Sequence, residues 1–134
     1  MTSYTPAEAA RLSGFSIDTL RYYEREGILA PVARTVGGQR RYSDDDLGRL
    51  GFLHCLRDTG MAIAQLRRYA ELSTDDASLP ERVALLEEHD AAVQATIDGL
   101  RRQQERLRGK VEWYRGELAR TAGATAGTGP ETTA

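Results

Sequence analysis

From Leu79 onward the chain carries an apolar repeat that no other part of it is long enough to cover. Stepping alternately by four and three residues meets Leu79, Val83, Leu86, Asp90, Val93, Ile97, Leu100, Gln104, Leu107, Val111, Tyr114 and Leu118. Ten of these twelve positions are apolar, which makes a heptad seam with polar breaks at Asp90 and Gln104. Forty residues of helix extend roughly 60 Å. The preceding residues amount to one small domain and hold no helix of similar length. The seam therefore calls for a second copy of itself, and a homodimer through Leu86, Val93, Ile97, Leu100, Leu107, Val111 and Tyr114 is expected. Gly99, Gly109 and Gly116 lower helix propensity and are places for local bending.

The residues before the seam punctuate themselves into short helices. Thr5-Pro6-Ala7-Glu8 supplies a capping hydroxyl, a proline at the first helical position and a glutamate three residues after the cap. Gly14 is the stop. Ser16 caps a second helix that runs to about Glu26 and ends at Gly27. Two short helices joined by a tight turn fit a helix-turn-helix. Ile17, Leu20 and Tyr23 make the inner stripe of the second helix; Asp18, Arg21, Tyr22 and Arg25 fall on the opposite face. That outer face suits DNA, with arginine for guanine edges or phosphate and a tyrosine hydroxyl for phosphate. An ordinary solvated helix face would look the same taken alone.

Between Ile28 and Tyr42, Pro31 breaks helix, Val32 and Val36 suit strand, and Gly37-Gly38 suits a hairpin tip. Residues 34–42 contain Arg34, Arg40 and Arg41 and no acid, so the expected hairpin is a basic wing. Net charge is −2, which weighs against a non-specific DNA coat and not against such a local footprint. Ser43 caps a third helix whose first-turn run Asp44-Asp45-Asp46 is explained by the helix dipole, without a metal. A fourth helix spans about 62–72, with Ile63, Leu66 and Tyr69 inward and Arg67 and Arg68 outward; Ala62 is a poor cap.

The organisation expected is all-α with a small β-wing. A winged helix-turn-helix DNA-binding domain occupies 1–72, a polar linker 73–78, a dimerising coiled-coil helix 79–120 and a disordered tail 121–134. No apolar run approaches a membrane span, and no secretory signal is visible, so the protein is expected in the cytoplasm. One cysteine makes neither an internal disulfide nor a multi-thiolate metal site. No cofactor, metal site or catalytic residue is expected. An enzyme would need Cys55 to converge with His54 or His89, and His54, next in sequence, points about 100° away.

Three stretches in this order resemble the MerR family of bacterial transcription regulators: Ser16 through Gly27, then Gly38-Gln39-Arg40-Arg41-Tyr42-Ser43, then Leu56-Arg57-Asp58-Thr59-Gly60-Met61. The resemblance covers about residues 3–118. It implies a homodimer with antiparallel helices on a pseudo-palindromic promoter, which it bends and untwists so that RNA polymerase engages both promoter elements. It implies that Arg21 and Tyr22 lie on the groove-facing helix and Arg40 in the wing against the backbone; with the outer face and basic segment read above, DNA contacts are expected from Ser16, Thr19, Arg21, Tyr22, Arg25, Arg34, Arg40, Arg41 and Tyr42. The cysteines of the family's metal sensors are missing here. Cys55 instead matches a single-cysteine subset, some of whose members respond to aldehydes or other thiol-reactive electrophiles. Two alternatives accompany this reading: a regulator of the same fold with a non-covalent ligand and a structural Cys55, or an architectural, excisionase-like DNA-binding protein.

Overall fold

The structure is a computed structural model that describes residues 2–127. In chain order the elements are β1 (Ser3–Tyr4), α1 (Pro6–Ser13), α2 (Ile17–Arg25), β2 (Ala33–Arg34), β3 (Arg40–Ser43), α3 (Asp44–Asp58), α4 (Ile63–Leu72), a single 3-10 turn (Asp76–Ser78) and α5 (Leu79–Gly127). They divide into two compact units, the first ending at Val93 and the second starting at Gln94.

Local chemistry places each start. Thr5 Oγ1 accepts the Glu8 amide at 3.2 Å, and Glu8 Oε1 accepts the Thr5 amide at 2.9 Å. This reciprocal cap satisfies two otherwise orphan donors at the head of α1. The bond from the Thr5 backbone holds the Glu8 carboxyl below its ordinary pKa. Ser43 and Asp46 repeat the device at the head of α3. Ala62 gives α4 no side-chain cap, as its residue type predicts. Gly14 ends α1 with φ of 84°, and a Cβ there would stand 2.9 Å from His54 Nε2. Glycine thus suits the left-handed turn and leaves room for the His54 ring, which a side chain here would displace.

The core of the first unit gathers Ala9, Leu20, Tyr23, Tyr42, Leu50, Leu53, Leu56 and Leu66 from five elements, and Phe15 from the turn between α1 and α2. Phe15 and Tyr23 meet edge to face, 5.3 Å between centroids. The sheet has the order β1-β3-β2, with Ser3 opposite Ser43 and Arg34 opposite Arg40. The β1 strand was not anticipated: two residues are too few to show an alternating pattern, and only β3 gives them a partner.

Two stretches carry more structure than their composition indicates. Within the expected polar linker 73–78, Asp76–Ser78 form the 3-10 turn. Ser78 is buried, with its hydroxyl 2.6 Å from the Asp75 carbonyl and also bonded to Leu72. At the other end, helix replaces the expected disorder over 121–127, while 128–134 lie outside the described residues. Adding residues to an existing helix avoids the nucleation cost, so a composition too weak to start a helix can extend one. In the second unit, every residue from 101 to 116 is exposed.

Candidate nucleic-acid interface

The expected two faces of α2 are present. Leu20 and Tyr23 are buried, and Ile17 is only half-buried. Asp18, Arg21, Tyr22 and Arg25 are exposed, with the Arg25 guanidinium 5.9 Å from the Tyr22 ring centre. At the head of the helix, Ser16 Oγ accepts the Thr19 amide at 3.0 Å and lies 2.9 Å from Thr19 Oγ1. Those two hydroxyls have first call on each other, which fixes their direction.

The wing folds as a hairpin. The Thr35 amide donates to Gln39 O at 2.8 Å, and Gly38 turns the tip with φ of 86°. Arg34 is exposed, and its Nη1 donates to Gly38 O at 3.0 Å, stiffening that tip. The other two arginines of the basic segment are already engaged. Arg40 Nε donates to Glu24 Oε1 at 2.6 Å, and Arg41 donates to the hydroxyl and carbonyl of Ser3 at 2.9 and 3.1 Å.

Tyr42 corrects the sequence reading. It was placed among the DNA contacts, yet only 1% of it is exposed. The strand period explains this: Tyr42 follows Arg40 on the face of β3 that turns inward. Burial, with the Glu24 carboxylate as the next cause, raises its phenol pKa.

Glu24 is the residue that sequence reasoning left without a role. Its second oxygen accepts the Val32 amide at 3.2 Å, so one carboxylate on α2 holds both the entry to the wing and Arg40. The signal was present. Glu24 lies four residues after Leu20 and next to Tyr23, so an acid edges onto the buried side, where it requires a donor. Arg67 is a second correction. Expected to point outward, it bonds Glu26 through Nη2 at 2.5 Å and through Nε to the Glu26 carbonyl at 3.2 Å, tying α4 to the end of α2.

Cys55 is exposed on α3. His54 points elsewhere, 3.0 Å from Asp58 Oδ2 and against the Phe15 ring. The carbonyl of Cys55 accepts from Thr59 Oγ1 at 2.7 Å, and the same hydroxyl lies 2.7 Å from His89 Nε2 on α5. The C-terminal half of α3 is thereby joined to the start of α5. On another side of α3 a cleft of about 560 Å³ is lined by Leu29, Arg49, Phe52, Tyr69, Thr74 and Arg82, among others.

Of the expected dimer residues, Leu86 packs in part against the core of its own unit, together with Leu85. Val93 is half-buried. Ile97, Leu100, Leu107, Val111 and Tyr114 are exposed by 38 to 67%. Among the described residues no group of three His, Cys, Asp or Glu side chains could hold a metal ion, and no helix is long and apolar enough to cross a membrane.

A helix-turn-helix with a braced basic hairpin beside its second helix defines a winged-helix DNA-binding protein. Residues 4–72 match the model of the MerR HTH family regulatory protein. An uncharacterised HTH-type transcriptional regulator of Haemophilus influenzae is 39% identical over 113 residues, covering 84% of each chain. The crystal structure of HiNmlR, described as a MerR family regulator lacking the sensor domain and bound to promoter DNA, superposes with a TM-score of 0.80. It is 38% identical, with 88% of this chain and 94% of that chain covered. A MerR family transcriptional regulator from Listeria monocytogenes gives 0.82 at 31% identity, covering 89% and 91%. The chain belongs to the MerR family of transcription regulators and is a DNA-binding protein of that class.

Proposed function

We propose that this regulator acts as a homodimer on a pseudo-palindromic promoter and activates transcription by distorting the DNA so that RNA polymerase can engage it. The observation that carries this reading is the pairing of an exposed Arg21–Tyr22–Arg25 face with a wing braced to the same helix by Glu24. Arg21 and Tyr22 face base edges or phosphates, and Ser16, Thr19, Arg25 and Arg34 face phosphates. Arg40 and Arg41 position the wing through Glu24 and Ser3 and present their remaining N–H groups to the backbone. The heptad seam supplies the dimer. A dimer of winged helices reads two half-sites, so protein symmetry is mirrored in the operator.

Cys55 is the effector-sensing residue in this proposal. Its exposure on α3 supports this role, because a thiol must be reachable to meet a soluble electrophile. Its thiolate adds to the carbonyl carbon of an aldehyde, and the resulting alkoxide takes a proton from water. The adduct adds bulk to α3 beside Thr59, and the Thr59–His89 bond passes a displacement of α3 to the start of α5.

In vitro transcription from a promoter the protein binds tests this, with wild type and Cys55→Ser, each with and without a small aldehyde. Aldehyde-dependent transcription that the serine variant loses is expected. Protein-dependent transcription indifferent to both would keep the regulator and remove Cys55 from sensing.

A further inference from the structure

Trp113 does not belong to the seam. With Leu79 at d, the heptad assigns Val111 to a, Tyr114 to d and Trp113 to c, an outer position. It is nevertheless the chain's single tryptophan, 58% exposed, against Tyr114 at 5.2 Å, with Lys110 Nζ 5.6 Å from both rings. A large aromatic on an outer stripe calls for a partner surface.

That stripe has a counterpart four heptads earlier. Lys110, Trp113 and Glu117 hold positions g, c and g; Arg82, Leu85 and His89 hold the same positions. The earlier set faces the DNA-binding unit. Arg82 lines the cleft, Leu85 packs on the core, and His89 meets Thr59.

Charge fixes how two copies pair. Residues 81–98 hold five acids and one arginine; residues 101–117 hold six cations and three acids. A parallel pair would oppose like halves, set Asp90 against the partner's Asp90 inside the seam, and bring Lys110 to the partner's Arg115. An antiparallel pair centred between Ile97 and Leu100 opposes unlike halves. It sets Asp90 against the partner's Leu107, Arg82 against the partner's Glu117, and Glu87 against the partner's Arg108. In that arrangement the g positions of both helices lie on one side. The partner's Lys110, Trp113 and Glu117 therefore run alongside Arg82, Leu85 and His89, next to the cleft.

We propose that Trp113 of each protomer seats in its partner's cleft, between Phe52 and Tyr69 on α3 and α4 and the two guanidinium groups of Arg49 and Arg82. The cleft holds about 560 Å³, and Phe52 and Tyr69 already stand 5.7 Å apart as a tilted aromatic pair with Phe52 41% exposed. An indole there buries about 150–250 Å² and receives cation–π contacts from the arginines. The contact ties the DNA-binding unit of one protomer to the helix of the other, outside the seam. It rests on the dimer proposed above.

Trp113 is its own reporter. In the dimer, its emission should be blue-shifted and its acrylamide quenching several-fold weaker than in an Ile97→Asp/Leu100→Asp variant. Mixed dimers locate it. One subunit carries Cys55→Ser, Trp113→Phe and Thr74→Cys with a nitroxide label at the cleft; the other carries Cys55→Ser and keeps Trp113. The label should quench the mixed dimer's tryptophan by more than half. Solvent-exposed emission, or no quenching in a sample that sedimentation shows to be dimeric, overturns the proposal. In the second case a parallel pair takes its place: a parallel partner's Trp113 would lie roughly 46 Å along the helix from Arg82. Sedimentation as a monomer at all concentrations would instead overturn the dimer itself.

Discussion

The DNA-binding unit and the second half of α5 handle the same kind of sequence pattern in opposite ways. On α2 the inner residues Leu20 and Tyr23 are covered within the chain, in one core with Ala9, Phe15, Tyr42 and Leu50. On α5, Leu100, Leu107 and Val111 repeat at an equally regular spacing and stay 48 to 67% exposed. The difference is supply. The first unit folds back on itself at Gly14, Gly27 and Gly60, so each apolar stripe meets another. Among the described residues the long helix runs on without a turn to Gly127, and its regular stripe meets no second stripe there. Periodicity announces that a face will be buried; connectivity decides by what.

The sharpest way to break this contrast is to place charge in the open seam. Ile97→Asp with Leu100→Asp should abolish dimerisation at micromolar concentration, halving the mass seen by sedimentation while the first unit keeps its helical signal. A still-dimeric double variant would show that the seam lies elsewhere. Next in size is the closed core. Leu20→Ala should cost about 2–5 kcal/mol in urea denaturation, because a fully buried side chain leaves a cavity. That loss should not depend on protein concentration, whereas any effect of a seam substitution on stability should. The smallest effect concerns the exposed face that the first unit leaves open. Arg21→Ala should weaken operator binding by about 1–3 kcal/mol and lower the salt slope by about one, with an unchanged melting curve. Unaltered affinity in a titration would remove Arg21 from the interface.

Much of the first unit was legible residue by residue. The caps at Thr5, Ser16 and Ser43 and the stop at Gly14 are short-range chemistry, and each stands where its residue type indicated. The two faces of α2 follow from helical period alone. The misreadings have one physical source: long-range partners decide what a polar side chain does. Tyr42 carries a hydroxyl in a basic segment, but the register of β3 turns it into the core. Arg67 belongs to an outward-looking pair until Glu26, 41 residues away, draws it in. Glu24 reads as one charge among several on α2, and becomes the brace of the wing only when Val32 and Arg40 are brought to it.

The sequence by itself determined the number and order of the helices, their starts, the basic hairpin and the need for a partner along α5. Those features depend on periodicity and on contacts within three or four residues. The tertiary structure alone decided which partners hold the arginines of the wing, that Cys55 faces solvent, that Ser78 before α5 is packed, and that α3, α4 and Arg82 enclose a cleft. Each of these depends on groups far apart in the chain meeting in space, and no local pattern encodes which of several chemically suitable partners a side chain will find.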